Sequence, residues 1–350
     1  MTDFKHFKRY RVLIVDDSEV ACDMLSALFS TATDFDIVGV ARNGQEGVEM
    51  ARRLAPDLIT MDLHMPVMNG YDAVEQIMAD TPASILVITS FREAETAFRC
   101  INLGALDLMD KPDLDCLNDA QFIRNFLDQG RLLASTKVIR RPMVRRKPVI
   151  IPKTLFTRPM DGTADHLVAI ASSTGGPQAL NLLLAEIPAD FPAAILIVQH
   201  LAAGFEGGLV SWLNKSTPLE IELAKDNAPL LAGKVLIAPP GKHVGVNDDR
   251  SVKFIDAAPV AGHRPSAKFL FEGAAGVYGP ECTGVILTGM GGDGAEALGH
   301  IKMAGGLTIA QDQNSCIIYG MPKVAVDMGT AKEIVALNDI PARLIDWVGN

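Results

Sequence analysis

Three residues capable of acyl-transfer chemistry stand just past apolar runs that end in turns. The run His166-Leu-Val-Ala-Ile-Ala-Ser172 is followed by Ser173-Thr-Gly-Gly-Pro177, the pattern of a buried strand breaking into a tight turn before a helix. Pro177 suits the first turn of that helix. Ser173 is therefore expected at the carboxyl end of a strand, beside free backbone N–H groups at a helix N-terminus, a position that serves a nucleophile and an anion together. Ala193-Ala-Ile-Leu-Ile-Val-Gln-His200 ends in a histidine, and Gly284-Val-Ile-Leu-Thr-Gly-Met-Gly-Gly-Asp293 ends in a glycine-rich turn that carries an aspartate. Serine, histidine and aspartate at strand ends form a candidate hydrolytic triad. Their order along the chain is not that of the α/β-hydrolases, and the G-x-S-x-G elbow is absent around Ser173, so a triad here belongs to another fold. Gly289-Met-Gly-Gly-Asp-Gly294 fits G-x-G-x-x-G literally, but it lies late in its domain instead of in the first βα unit, which argues against dinucleotide binding.

A second set of residues suits phosphoryl chemistry. Asp16 and Asp17 follow the run Arg11–Val15, Asp62 follows Asp57–Met61, Thr89 closes Ser84–Thr89, and Lys111 closes Leu106–Lys111 ahead of Pro112. Three carboxylates at neighbouring strand ends repel one another unless a cation joins them, and Mg²⁺, a hard oxygen-seeking ion, fits. A carboxylate beside Mg²⁺ and a lysine can accept a phosphoryl group, because the cations offset charge on the transferring oxygens.

Two sets of α/β elements must position these residues. Residues 11–130 read as five βα repeats, with Ser18 as the cap of the first helix. Residues 164–350 resume the alternation, with strands near 166–172, 193–199, 234–238, 284–289 and 306–310. Between them, residues 131–163 hold four prolines and sustain no apolar period, which reads as a linker. The expected fold class is α/β, two doubly wound parallel-sheet domains joined by that linker.

Composition agrees with this organisation and narrows the function. A chain of 350 residues, 48% hydrophobic and 21% charged, is long enough for two domains with sizeable cores. The net charge is −10, and eight of the 32 basic residues fall within residues 137–158, leaving 24 bases against 42 acids elsewhere. Two acidic bodies around a basic connector argue against nucleic-acid binding. No apolar stretch suits a transmembrane helix, and Met1–Tyr10 holds no long apolar segment, so neither membrane insertion nor a signal peptide is expected. Cysteines 22, 100, 116, 282 and 316 lack metal or redox spacing and read as reduced core thiols of a cytoplasmic protein.

The motifs carry two resemblances. Val-Asp16-Asp17, Asp62-Leu-His-Met-Pro66, Thr89-Ser90 and Asp110-Lys111-Pro112 resemble the receiver domain of two-component systems over residues 9–130, a flavodoxin-like fold. That resemblance implies Asp62 as phosphoacceptor. It implies Mg²⁺ held by Asp17, the His64 carbonyl, Asp16 and Asp62, and phosphoryl contacts from Thr89 and Lys111. Leu108 stands where receivers often carry an aromatic residue.

Ala169–Pro177, Gln199-His200, Ile237–His243, His263-Arg-Pro-Ser266, Ile286–Gly294, Ala310–Asp312 and Tyr319–Pro322 resemble the catalytic domain of chemotaxis protein-glutamate methylesterases, the CheB family, over residues 164–350. The implied fold is a Rossmann-like three-layer α/β/α domain without a cofactor. The implied chemistry is hydrolysis of glutamate methyl esters on chemoreceptors, with deamidation of selected receptor glutamines by related acyl chemistry. Ser173 is the implied nucleophile, His200 the base and then acid, Asp293 its partner, and Thr174 and Met290 the oxyanion region. The implied phosphodonor is a chemotaxis histidine kinase, and phosphorylation of Asp62 is expected to open a cleft that the receiver covers. Leu201-Ala202 and Lys268 depart from the family pattern. The contrasting reading is a phospho-gated binding module without esterase activity.

Overall fold

The structure is a computed structural model that describes residues 9–90, 94–136 and 162–349. The chain divides into two compact units, Met1–Val144 and Arg145–Asn350. The basic connector read over residues 131–163 lies mostly outside the described residues. Residues 131–135, expected in that connector, instead complete a helix, Ala120–Ser135.

In the first unit, strands β1 (Tyr10–Val15), β2 (Phe35–Ala41), β3 (Leu58–Met61), β4 (Ser84–Thr89) and β5 (Asp107–Asp110) form one parallel sheet in the order β2-β1-β3-β4-β5. They alternate with helices α1 (Glu19–Ser30), α2 (Gly44–Leu54), α3 (Gly70–Asp80), α4 (Ala94–Leu103) and α5 (Ala120–Ser135). Every residue of β3 and β4 is buried, as expected of parallel strands covered on both faces. Ser18 caps α1 by accepting from the Ala21 amide at 3.3 Å. Strand order reverses between β1 and β3, which opens a crevice at their carboxyl ends, and Asp16 and Asp62 are the next residues in the chain.

The second unit holds a seven-stranded sheet, also parallel throughout. Its strands are β6 (His166–Ser172), β7 (Ala193–Gln199), β8 (Glu220–Leu223), β9 (Lys234–Ile237), β12 (Cys282–Ile286), β13 (Leu307–Gln311) and β14 (Glu333–Val335), in the order β14-β13-β12-β6-β7-β9-β8. β10 (His243–Val246) and β11 (Val252–Ile255) form a separate antiparallel pair. The helices are α6 (Gly176–Leu184), α7 (Glu206–Asn214), α8 (Ala267–Tyr278), α9 (Leu298–Met303), α10 (Met321–Asp327) and α11 (Ile340–Gly349). Leu270, Phe271 and Ala274 of α8 pack with Leu167, Ala169 and Ala171 of β6 in one buried cluster. The α/β class and parallel sheets match the expectation. β8, β14 and the hairpin were not anticipated. β8 and β14 are short, partly exposed edge strands without a sustained apolar run, and Gly245 interrupts the apolar run of β10.

β6 lies between β7 and β12, with Ser172 in register with Gln199 and Ile286 with Ala171. The residues that follow these three strands therefore emerge side by side at one edge of the sheet.

Candidate active site

Ser173 leaves β6 with its backbone committed on both sides. Its amide donates to the Thr288 carbonyl at 3.1 Å and its carbonyl accepts from Gly176 at 2.7 Å. Gly175, at φ 77°, takes the left-handed turn that a residue with a Cβ adopts only at a cost. Gln199 ties the neighbouring strand end to this turn: its Nε2 donates to the carbonyls of Ser173 (3.0 Å) and His200 (2.7 Å), while its Oε1 accepts from the Ser172 hydroxyl at 2.6 Å. The His200 amide in turn donates to the Ser172 carbonyl at 2.9 Å. The two strand ends are thus locked together by buried, mutually satisfied polar groups.

His200 Nε2 meets Asp293 Oδ2 at 2.9 Å, and the two side chains are only 8% and 2% exposed. A carboxylate accepts but cannot donate, so Nε2 carries the proton in the neutral ring and Nδ1 keeps its lone pair. Nδ1 is buried and has no hydrogen-bond partner among the described residues. The Ser173 hydroxyl is therefore not yet bonded to His200, an arrangement common in uncomplexed sites that tighten with substrate. Asp293 is held from further directions by the Ser266 hydroxyl on Oδ1 (2.5 Å) and the Ala267 amide on Oδ2 (2.7 Å). Burial alone would raise its carboxyl, but the bonds from His200, Ser266 and Ala267 outweigh burial and hold it below the usual carboxylate range.

The loop after β12 lies hard against the serine. A Cβ on Gly289 would come within 2.5 Å of Met321 Sδ and 2.7 Å of Ser173 Cβ, so only glycine allows this approach. It brings the loop that carries Met290 to Ser173. The amides of Thr174 and Met290 take no part in the backbone hydrogen bonds among the described residues, which leaves both as donors for an oxyanion. Thr174 is buried and Met290 is 36% exposed.

In the first unit, carboxylate oxygens of Asp16, Asp17 and Asp62 lie within 4.8 Å of one another. Lys111 Nζ reaches Asp16 at 2.9 Å and Asp62 at 3.1 Å. Burial pushes the Asp62 carboxyl up against the pull of Lys111, and Asp16 adds repulsion. Burial opposes the charge on Lys111, but its two carboxylate partners draw its ammonium above the ordinary range. A crowded set of hard oxygens, three carboxylates against the one ammonium of Lys111, fits Mg²⁺. Thr89 is fully buried at the end of β4, in register with Asp110. The His64 side chain is exposed.

Gln199, His263 and Ser266 stand in the sequence only as members of motifs, with His263 expected in a structural or substrate-facing role; their contacts with Ser173, His200 and Asp293 come from the structure. Ser266 ahead of the helix-forming run Ala267–Tyr278 carries a cap signature, but nothing local shows that its hydroxyl reaches a residue 27 positions away. Cys100 and Cys316 are pushed by burial up to about 12, which suits inert thiols.

Comparison with known proteins agrees with this division of labour. A family model for CheB methylesterase matches residues 168–344, and one for the response regulator receiver domain matches residues 12–120. The chain is 41% identical to protein-glutamate methylesterase/protein-glutamine glutaminase 4 of Myxococcus xanthus, covering 95% of this chain and 96% of that one. It is 42% identical to protein-glutamate methylesterase/protein-glutamine glutaminase 2 of Anaeromyxobacter dehalogenans, with 95% and 96% covered. The crystal structure of the Thermotoga maritima CheB methylesterase catalytic domain matches 52% of this chain and 97% of that chain, at 35% identity and a TM-score of 0.50.

Proposed function

This chain belongs to the CheB methylesterase family, with a receiver domain ahead of the catalytic one, and from that premise we propose that it hydrolyses glutamate γ-methyl esters on chemoreceptors under control of phosphorylation at Asp62. The observation that carries the catalytic half is the pairing of His200 with Asp293 at the end of the sheet where Ser173 directly follows the neighbouring strand β6.

Ser173 Oγ attacks the ester carbonyl while His200 Nδ1 takes its proton. The Nε2–H stays on Asp293, whose charge stabilises the imidazolium. The Thr174 and Met290 amides hold the tetrahedral oxyanion. The intermediate collapses, methanol leaves with the proton from Nδ1, and a glutamyl ester remains on Ser173. Water then attacks the acyl group, giving its proton to Nδ1, and Nδ1 passes that proton to Ser173 Oγ as the acyl–oxygen bond breaks, so that glutamate and free Ser173 result. The same sequence with an amide releases ammonia, which is the deamidase activity named in the relatives. Gly289→Ala pushes the Met290 loop off the nucleophile and is expected to slow methanol release by about a hundredfold, the scale of a 1 Å misplacement. Loss of rate with an unchanged melting temperature supports this placement; parent-like rates remove Met290 from the site.

In the receiver, Asp16, Asp17, Asp62 and the His64 carbonyl would hold Mg²⁺, which when bound neutralises charge on the phosphoryl group. Asp62 accepts that group from the kinase's phosphohistidine or from a small phosphodonor. Lys111 and Thr89 contact its oxygens. The modified carboxylate then shifts the receiver to a second conformational state, and the esterase rate of the catalytic domain rises with it. Asp62→Asn is expected to remove the rise in esterase rate produced by phosphodonor and Mg²⁺ while leaving the basal rate in place. An Asp62→Asn chain that still responds to phosphodonor overturns this half of the reading. Among the described residues no helix is long and apolar enough to cross a membrane.

A further inference from the structure

His263 lies face to face with His200, ring centroids 3.8 Å apart and planes within 4°. It belongs to a short turn closed by mutual backbone bonds between Val260 and His263, 3.1 and 2.9 Å. Three residues beyond it the chain reaches Ser266 and Ala267, which grip Asp293. Ser266 also caps α8, accepting from Lys268 at 3.2 Å, and its amide donates to the buried His243 Nδ1 at 3.1 Å. One five-residue strip therefore touches both members of the acid–base pair: the ring face of His200 through His263 and the carboxylate of Asp293 through Ser266 and Ala267.

We infer that His263 is a positioning residue that acts through His200, its flat ring fixing the plane of the imidazole so that Nδ1 faces Ser173 and its π-face supporting the charge that His200 acquires during turnover. This inference rests on the esterase reading above and names a further participant in it. A hydrogen bond to Asp293 restrains the imidazole at one nitrogen only, which leaves the ring free to rock about that bond. A parallel ring at 3.8 Å removes that freedom by van der Waals contact across the whole ring face. A neutral aromatic face beside a forming cation is also favourable, whereas a second cation there would oppose it.

The surroundings keep His263 neutral. Burial pushes its imidazole down to about 4, with repulsion from His200 in the same direction and Asp293 opposing. The charged groups facing it are His200 from the end of β7 and Asp293 from the loop after β12. Arg264 on its own turn is drawn away to Asp256 at 2.6 Å. Above about pH 5 the ring therefore carries no charge, and its contribution lies in its shape and π-face.

The test uses the full-length chain, with His263→Phe and His263→Leu compared in methanol release from methylated receptor membranes and in side-chain NMR of His200. Phenylalanine keeps a flat ring and leucine keeps bulk without one. The expected result for leucine is a fall in kcat of about tenfold, equivalent to one tenfold step in rate constant, with KM within about twofold. Phenylalanine is expected to recover most of that loss, with a pH–rate profile that overlays the parent above about pH 5. The His200 ring protons are expected to show a ring-current shift in the parent and in the phenylalanine variant that disappears in the leucine variant. Parent-like kcat in the leucine variant overturns the inference, as does a change confined to KM. A phenylalanine variant as slow as leucine overturns it too, because an imidazole nitrogen is then required. If the parent releases no methanol, the esterase reading fails, while the ring-current signature still decides whether the stack holds His200.

Discussion

Replacing Ser173 by alanine is expected to reduce methanol release by at least about 10⁴-fold with the fold intact, the scale on which loss of a nucleophile is felt. Ser172→Ala is the informative companion, because the two serines are adjacent and only their surroundings separate them. Ser172 is fully buried, and its hydroxyl donates to Gln199 Oε1 at 2.6 Å. That hydroxyl serves the lock between β6 and β7, and removing it strands one buried acceptor at a cost of about 1–3 kcal/mol in stability. Ser173 has its backbone pinned to Thr288 and Gly176 and stands against Gly289. Thermal melting and methanol release together separate the cases: Ser172→Ala loses stability and keeps turnover, and Ser173→Ala does the reverse. A fully active Ser173→Ala chain contradicts the assignment of the nucleophile.

Asp293→Asn is expected to cost roughly 10⁴-fold in kcat, the size of effect seen when an imidazole partner is changed to an amide and the wrong tautomer follows. Asp293 accepts from three donors, His200 Nε2, the Ser266 hydroxyl and the Ala267 amide. Asparagine offers one acceptor oxygen, which at the Oδ1 position stays with Ser266 and leaves the Ala267 amide without its acceptor. Its NH₂ then faces Nε2 and favours the ring form protonated at Nδ1, the atom that must receive the serine proton. The same substitution has a signature in stability. The Asp293 carboxyl lies below its usual range in the folded chain, so its contribution is fully present above the unfolded carboxylate value near 4. It is lost as pH falls through the lower folded value. Melting temperature measured across that acid window is expected to fall more steeply for the parent than for Asp293→Asn. A variant within tenfold of parent kcat contradicts the role given to Asp293.

The catalytic end was legible because both sheets are parallel and buried. Strands such as Ala193–Gln199 read as unbroken apolar runs, and a polar residue at the end of one, such as His200, then stands out. The receiver's acids were legible for the same reason: Asp16 and Asp62 each follow a buried strand, and Lys111 reaches both. What escaped depends on contacts between distant segments. Ser266 meets Asp293 and His263 meets His200 only once the turn before α8 is laid over the ends of β7 and β12, and no local period encodes that. β8 and β14 escaped because edge strands need only one partner and carry mixed, partly exposed residues. α5 outran its expected end because residues 131–135 continue a helix whose buried residues include Leu133 and Ala134.

The central claim is that a serine esterase in the second unit answers to a phosphorylated aspartate in the first. Its most direct test is methanol release from methylated chemoreceptor membranes by the purified full-length chain, with and without a small phosphodonor and Mg²⁺. Release that rises severalfold with phosphodonor, and that EDTA returns to the basal rate, is the predicted result. Folded protein that releases no methanol under either condition contradicts the esterase assignment, and release indifferent to phosphodonor contradicts its control by Asp62.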